Sequence, residues 1–199
     1  MSQIRSFIAI ELSPALRQHI EKIQNELKRA TADVRWVRSA GIHLTLKFLG
    51  AIDEGQVAAI GDTLEGCLAD KTIFTLTVGS LGAFPNREHP KVIWLGIEDE
   101  RGVLQKVQQT MDRELTRLGF TAEKRTFSPH LTLGRITSPK GKRTVSQRLA
   151  TMGECACGTF DVKEIFLFKS DLTPSGAVYT KLKSFALRPQ AKQSYTTVY

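Results

Sequence analysis

The chain has 199 residues, 41% of them hydrophobic and 24% charged, with a formal net charge of +8 and only three cysteines. A chain of that length buries about 70% of the surface its unfolded form exposes, so its core needs neither a disulfide framework nor a metal staple. No run approaches the roughly 18 to 20 apolar residues of a membrane span, and the apolar stretch before Glu11 is too short for a signal-peptide core.

The expected location is therefore cytoplasmic. The odd cysteine count, with Cys155 and Cys157 too close for an ordinary disulfide loop, fits a reducing compartment. The charge and a pI near 9.6 favour a polyanionic partner, whether RNA, DNA or an anionic small molecule, without choosing among them.

Residues 6–12 read as a strand. Ser13-Pro14 then supplies a capping side chain and a proline preset for a first helical turn, and Leu16, Ile20, Ile23 and Leu27 recur at helical spacing. A strand at 43–49 leads to a second helix from near Asp53, with Val57, Ile60, Leu64 and Leu68 on one stripe. Strands at 73–79 and 91–97 flank the proline-rich loop FPNREHP. The third helix runs over 101–118 with Val103, Leu104, Val107, Met111, Leu115 and Leu118 on its apolar face, and Gly119 stops it. A strand at 130–135, a basic surface loop at 138–144, and strands at 162–169 and 178–187 complete the pattern. Helices and strands alternate without a GxGxxG turn, so the class is α+β. Residues 1–188 read as one domain and 189–199, without apolar periodicity, as a C-terminal tail.

The tetrapeptide HLTL occurs at 43–46 and again at 130–133. One copy reads as an alternating strand with a half-exposed histidine. Two copies that use two of the four histidines are an internal repeat. In a strand, residues i and i+2 share a face, so each copy puts His and Thr on one side and two leucines on the other. If the strands lie side by side, two imidazoles and two hydroxyls converge. Imidazole titrates near neutral pH, so one of a pair can donate a proton while its twin accepts one, and threonine hydroxyls can donate to phosphoryl oxygens.

With these motifs the chain resembles the 2H phosphoesterase superfamily, and more closely the RNA 2′,3′-cyclic phosphodiesterases once called bacterial 2′-5′ RNA ligases. The resemblance extends over RSFIAIEL, RWVRSAGIHLTLKFLG, LGAFPNREHPKVIWLG, FSPHLTLGR and FLFKSDLTPSGAVYTKLKSFAL. It implies a bilobal, pseudo-twofold fold with two antiparallel sheets lining a central groove and helices outside. It also implies a reaction: water opens a 2′,3′-cyclic phosphate at an RNA end, the 3′ oxygen leaves, and a 2′-phosphomonoester remains. By position, His43 is the proton donor, His130 the proton acceptor, and Thr45 and Thr132 bind phosphate. Reversible, ATP-independent 2′-5′ joining of RNA ends is a further family property. The resemblance implies no metal and no cofactor, and the isolated histidines and missing GxxxxGK[ST] loop agree.

Lys47 has the parity of His43 and Thr45. Arg135 has the parity of the leucines unless the strand ends or bulges there, although family likeness puts it near the site; each is a candidate substrate contact beside the alternative of a solvated charge. Trp36, Phe84 and Phe127 are candidates to stack a base or to pack in the core. His19, His89 and the cysteines read as structural or surface residues. Two alternatives stay open: a 2H enzyme for a small cyclic nucleotide, and an RNA-binding module without turnover. The partner expected is RNA ending in a cyclic phosphate, tRNA fragments among the candidates, and a site completed within one chain points to a monomer.

Overall fold

The computed structural model describes residues 3–30, 33–152, 157–174 and 176–190; Cys155 and most of the tail lie outside them. Ser13 caps α1 (Pro14–Lys28) by accepting from the Leu16 amide at 3.3 Å, a contact worth about 1 kcal/mol. The helix buries Leu16, Ile20 and Leu27, and its buried Gln24 amide donates to the carbonyls of Val37 and Leu133, each at 2.9 Å. Helices α2 (Gln56–Leu68) and α3 (Val103–Arg117) bury most of the stripes read from the sequence, with Val57 and Val103 only partly buried, while Leu118, expected on the α3 face, lies past the helix end and is exposed.

The basic segment expected as a surface loop is instead the start of a fourth helix, α4 (Pro139–Thr151). Ser138 caps it, accepting from the Gly141 amide at 3.0 Å, and Pro139 occupies the first turn, repeating the Ser-Pro start of α1. Gly141 is buried and packed so closely that a Cβ there would lie 2.6 Å from the Asp33 Cβ, while Val145 and Leu149 supply the apolar face. Glycine and clustered charge masked that pattern.

The strands are β1 (Gln3–Glu11), β2 (Val34–Trp36), β3 (His43–Asp53), β4 (Phe74–Phe84), β5 (Val92–Glu98), β6 (His130–Ile136), β7 (Gly158–Val162), β8 (Glu164–Thr173) and β9 (Gly176–Ala186). The segment read as one strand near 162–169 is thus two. Their order is β7-β4-β5-β6-β3-β1-β8-β9, with β2 on β6, and the named strands pair antiparallel throughout.

Each half of the chain contains the succession strand, helix, HLTL strand, helix, strand, with β2 added in the first half and β8 and β9 following in the second. Strands then cross over between the halves: β4 pairs with β5 and β7 of the second half, and β8 pairs with β1 of the first. Each half of the sheet therefore draws strands from both halves of the sequence, and neither repeat closes its own core. The two lobes meet where Leu44 pairs with Leu131, which makes the expected two sheets one curled, continuous sheet. One apolar cluster spans both lobes, and a smaller one of Phe7, Ala9, Phe166 and Phe168 sits beside it.

Candidate active site

The HLTL alternation holds over all four residues, Leu46 and Leu133 included. Leu44 and Leu131 are fully buried, whereas His43, Thr45, His130 and Thr132 are half-buried and line one groove of about 570 Å³. At the fourth residue both strands bulge. In β3, Thr45 opposes Ala9 and Lys47 opposes Ile8, so Leu46 has no partner; in β6, Thr132 opposes Trp94 and Gly134 opposes Ile93, so Leu133 has none. An extra residue reverses which face each following side chain occupies.

The bulges correct the sequence reading of Lys47. It lies on the core side, only 7% exposed, where its ammonium donates to the Asp112 carboxylate and, at 2.8 Å, to the Thr121 carbonyl. It is no part of the groove lining. Its counterpart in the second repeat is Gly134, where a Cβ would lie 2.7 Å from a Val34 methyl carbon and 3.0 Å from the Trp36 ring. The next residue in each repeat is carried back to the groove, and these are Phe48 and Arg135. Strand parity alone had placed Arg135 on the wrong face.

Phe127 is also displaced from its expected position. It packs partly buried against the core and lines a separate cleft beside α3 with Asp112 and Lys124. Trp36 likewise packs against the core. His19 is exposed on α1, with Nδ1 3.3 Å from the Ala15 carbonyl, and His89 is exposed in its loop.

The two groove histidines are held alike. His43 Nδ1 lies 2.9 Å from the Gly41 carbonyl and His130 Nδ1 2.7 Å from the Ser128 carbonyl, in each case two residues back. A carbonyl only accepts, so each Nδ1 carries the hydrogen, which leaves Nε2 free to exchange a proton. Each ring also meets an aromatic edge to face: His43 meets Tyr179 at 5.0 Å between centroids, and His130 meets Phe84 at 4.9 Å. Phe7 adds a tilted contact with His43 at 4.8 Å. These contacts restrict ring rotation and fix where each Nε2 points.

Burial lowers the His43 pKa below its ordinary value, opposed by the Gly41 hydrogen bond and the charge of Glu11 and assisted by Arg17. Burial likewise pushes the Tyr179 phenol up, so at neutral pH it remains a hydrogen-bond donor. The cations lining the groove are Arg5 and Arg135, and Ser6 Oγ beside them is buried without a hydrogen-bond partner among the described residues. No local signal marked Ser6, Phe7 or Tyr179 in the sequence; Phe48 would have emerged from aligning HLTLKF on HLTLGR, where it falls opposite Arg135, already a candidate from family likeness. Among the described residues, no three His, Cys, Asp or Glu side chains gather as a metal-ligating set.

The family model described as LigT like phosphoesterase matches twice, over residues 10–94 and 95–179. An RNA 2′,3′-cyclic phosphodiesterase of Methanothermobacter thermautotrophicus is 34% identical over 185 residues, 93% of this chain and 100% of the relative. A crystal structure from Thermus thermophilus superposes with a TM-score of 0.79 at 26% identity, covering 94% of this chain and 100% of its own. E. coli LigT complexed with 3′-AMP superposes with a TM-score of 0.76 at 25% identity, covering 94% and 99%.

Proposed function

Because the chain belongs to the LigT like phosphoesterase family, we propose that it hydrolyses 2′,3′-cyclic phosphate ends of RNA to 2′-phosphomonoesters by paired histidine acid and base catalysis. The observation that carries this reading is the matched pair of imidazoles. His43 and His130 line one groove, each tied at Nδ1 and free at Nε2, each with a threonine of its own motif beside it. Homologous enzymes of that name support the substrate class.

In this reading Thr45, Thr132 and the Arg135 guanidinium hold the non-bridging oxygens of the cyclic phosphate, where transition-state charge collects. His130 Nε2 takes a proton from the attacking water as the new P–O bond forms. His43 Nε2 gives a proton to the 3′ oxygen as its bond to phosphorus breaks. The proton balance closes, and the two imidazoles exchange states, to be reset by solvent. His43 must be protonated to act as the acid; although burial disfavours that form, the bound phosphodiester brings a negative charge that favours it. The enzyme is read as a cytoplasmic monomer that needs no metal, with the same groove available to the reversible joining reaction, in which an RNA 5′-hydroxyl takes the place of water and the 3′ oxygen again leaves.

The test is a short RNA ending in a 2′,3′-cyclic phosphate, incubated in EDTA, with the end group identified. A 2′-phosphate made by the wild type, and reduced about 10²- to 10⁴-fold in His43→Ala and in His130→Ala, is the expected result. Hydrolysis that persists without either histidine would sink the mechanism.

A further inference from the structure

His43 and Tyr179 form a wall between two compartments. Behind the groove lies a second cavity of about 420 Å³, which shares Phe7, Gly41, His43, Ala177 and Tyr179 with it. Its remaining polar lining is Arg17, Arg38, Lys181 and Glu11. Glu11 accepts from Lys181 at 2.8 Å and lies 4.0 Å from Arg17, so the one carboxylate of the lining pairs with two of its three cations.

Two of those cations have unused capacity. Arg17 Nε is buried without a hydrogen-bond partner among the described residues. Arg38 has no carboxylate within ion-pair reach among them, and its Nη2 lies 3.8 Å from where a side chain on Gly176 would begin, across the turn between β8 and β9. An exposed guanidinium at a cavity mouth without a carboxylate suits an oxyanion, to which it can offer two parallel N–H donors. The compartment adjoins the histidine that serves the cyclic phosphate, so its occupant belongs to the same polyanion.

We propose that this second compartment binds the RNA backbone, namely the phosphodiester on the 5′ side of the terminal nucleoside, with Arg38 as its principal contact and Arg17 beside it. The inference rests on the cyclic phosphodiesterase reading and deepens it. A site with this subsite selects an RNA end over a mononucleotide, because only the oligomer carries the second phosphate.

The experiment compares kcat/KM for ApA ending in a 2′,3′-cyclic phosphate with that for adenosine 2′,3′-cyclic phosphate, in the wild type and in Arg38→Gln. A third substrate is the same dinucleotide with a neutral methylphosphonate internal linkage. The wild type should favour the charged dinucleotide by about tenfold, the scale of one charge-assisted contact. The preference should collapse toward unity in Arg38→Gln and, for the wild type, with the neutral linkage. The salt dependence of the dinucleotide reaction should become shallower by roughly the 0.7 expected per single-strand phosphate contact. An unchanged preference in Arg38→Gln, or a methylphosphonate dinucleotide as good as the charged one, would overturn the subsite. If the mononucleotide is hydrolysed without any preference for the dinucleotide, only the subsite fails. If neither is hydrolysed, the activity itself has been misread and the subsite falls with it.

Discussion

Leu44 and Leu131, the second residues of the two HLTL tetrapeptides, pair with each other across the antiparallel junction of β3 and β6, and both are fully buried. Equivalent residues of a repeat paired in this way place the local twofold axis between them. The same register brings the flanking histidines and threonines to one groove, so alignment of the site rests on an apolar contact made on the opposite face of the strands.

Truncation at that contact should therefore affect both stability and chemistry. Leu44→Ala and Leu131→Ala should each cost about 2–5 kcal/mol, read from urea unfolding. In the fraction that remains folded, kcat should fall more than KM rises, because misaligned acid and base weaken the transition state first. An unfolding midpoint that drops while kcat stays at the wild-type value would show that this pair does not set the alignment.

The Lys47 and Asp112 pair joins β3 to α3 and, through the Thr121 carbonyl, to the segment leading into the second motif. Removing one partner strands a buried charge. Lys47→Met alone should destabilise by about 3 kcal/mol, whereas Lys47→Met with Asp112→Leu should recover most of that loss. A denaturant series on the two single variants and the double variant measures the coupling. The salt dependence of RNA hydrolysis should be unchanged in the double variant, and a shallower slope would return Lys47 to the list of substrate contacts.

His43 makes stability depend on pH. Its folded pKa lies below the ordinary 6.5, so between the two values the unfolded chain binds the proton that the folded chain refuses. Stability then falls as pH falls through that window, and the contribution is fully present above it. The urea midpoint of the wild type should drop on going from about pH 7.5 to about pH 5.5, and that of His43→Gln should drop less. Inorganic phosphate in the groove should raise the His43 pKa, visible as a shifted imidazole titration in NMR; no shift would place phosphate elsewhere.

Arg135 is the groove cation carried by the second motif's own strand. Arg135→Gln should weaken competitive inhibition by inorganic phosphate by about tenfold, and Arg135→Lys should restore only part of it, since an ammonium lacks the two-pronged geometry. Equal inhibition of all three proteins would remove Arg135 from the phosphate site.

The repeated HLTL determined much of this protein from the sequence alone. Alternation over four residues dictates that the leucines are buried and that His and Thr share a face, and no distant partner is needed for that inference. The Ser-Pro caps and apolar stripes of α1 and α3 are equally local; α4 carried the same start, hidden by Gly141 and neighbouring charge. Tertiary structure alone decided where the strands bulge. A bulge depends on the register a strand finds against its neighbour, here β1 for one motif and β5 for the other, and no residue within HLTL announces it. That one extra residue moved Lys47 into an ion pair on the core side and brought Arg135 into the groove. The crossing of β4 and β8 between lobes is likewise a long-range pairing, and it is what brings Tyr179 and Phe84, far from the motifs in sequence, against the two imidazoles.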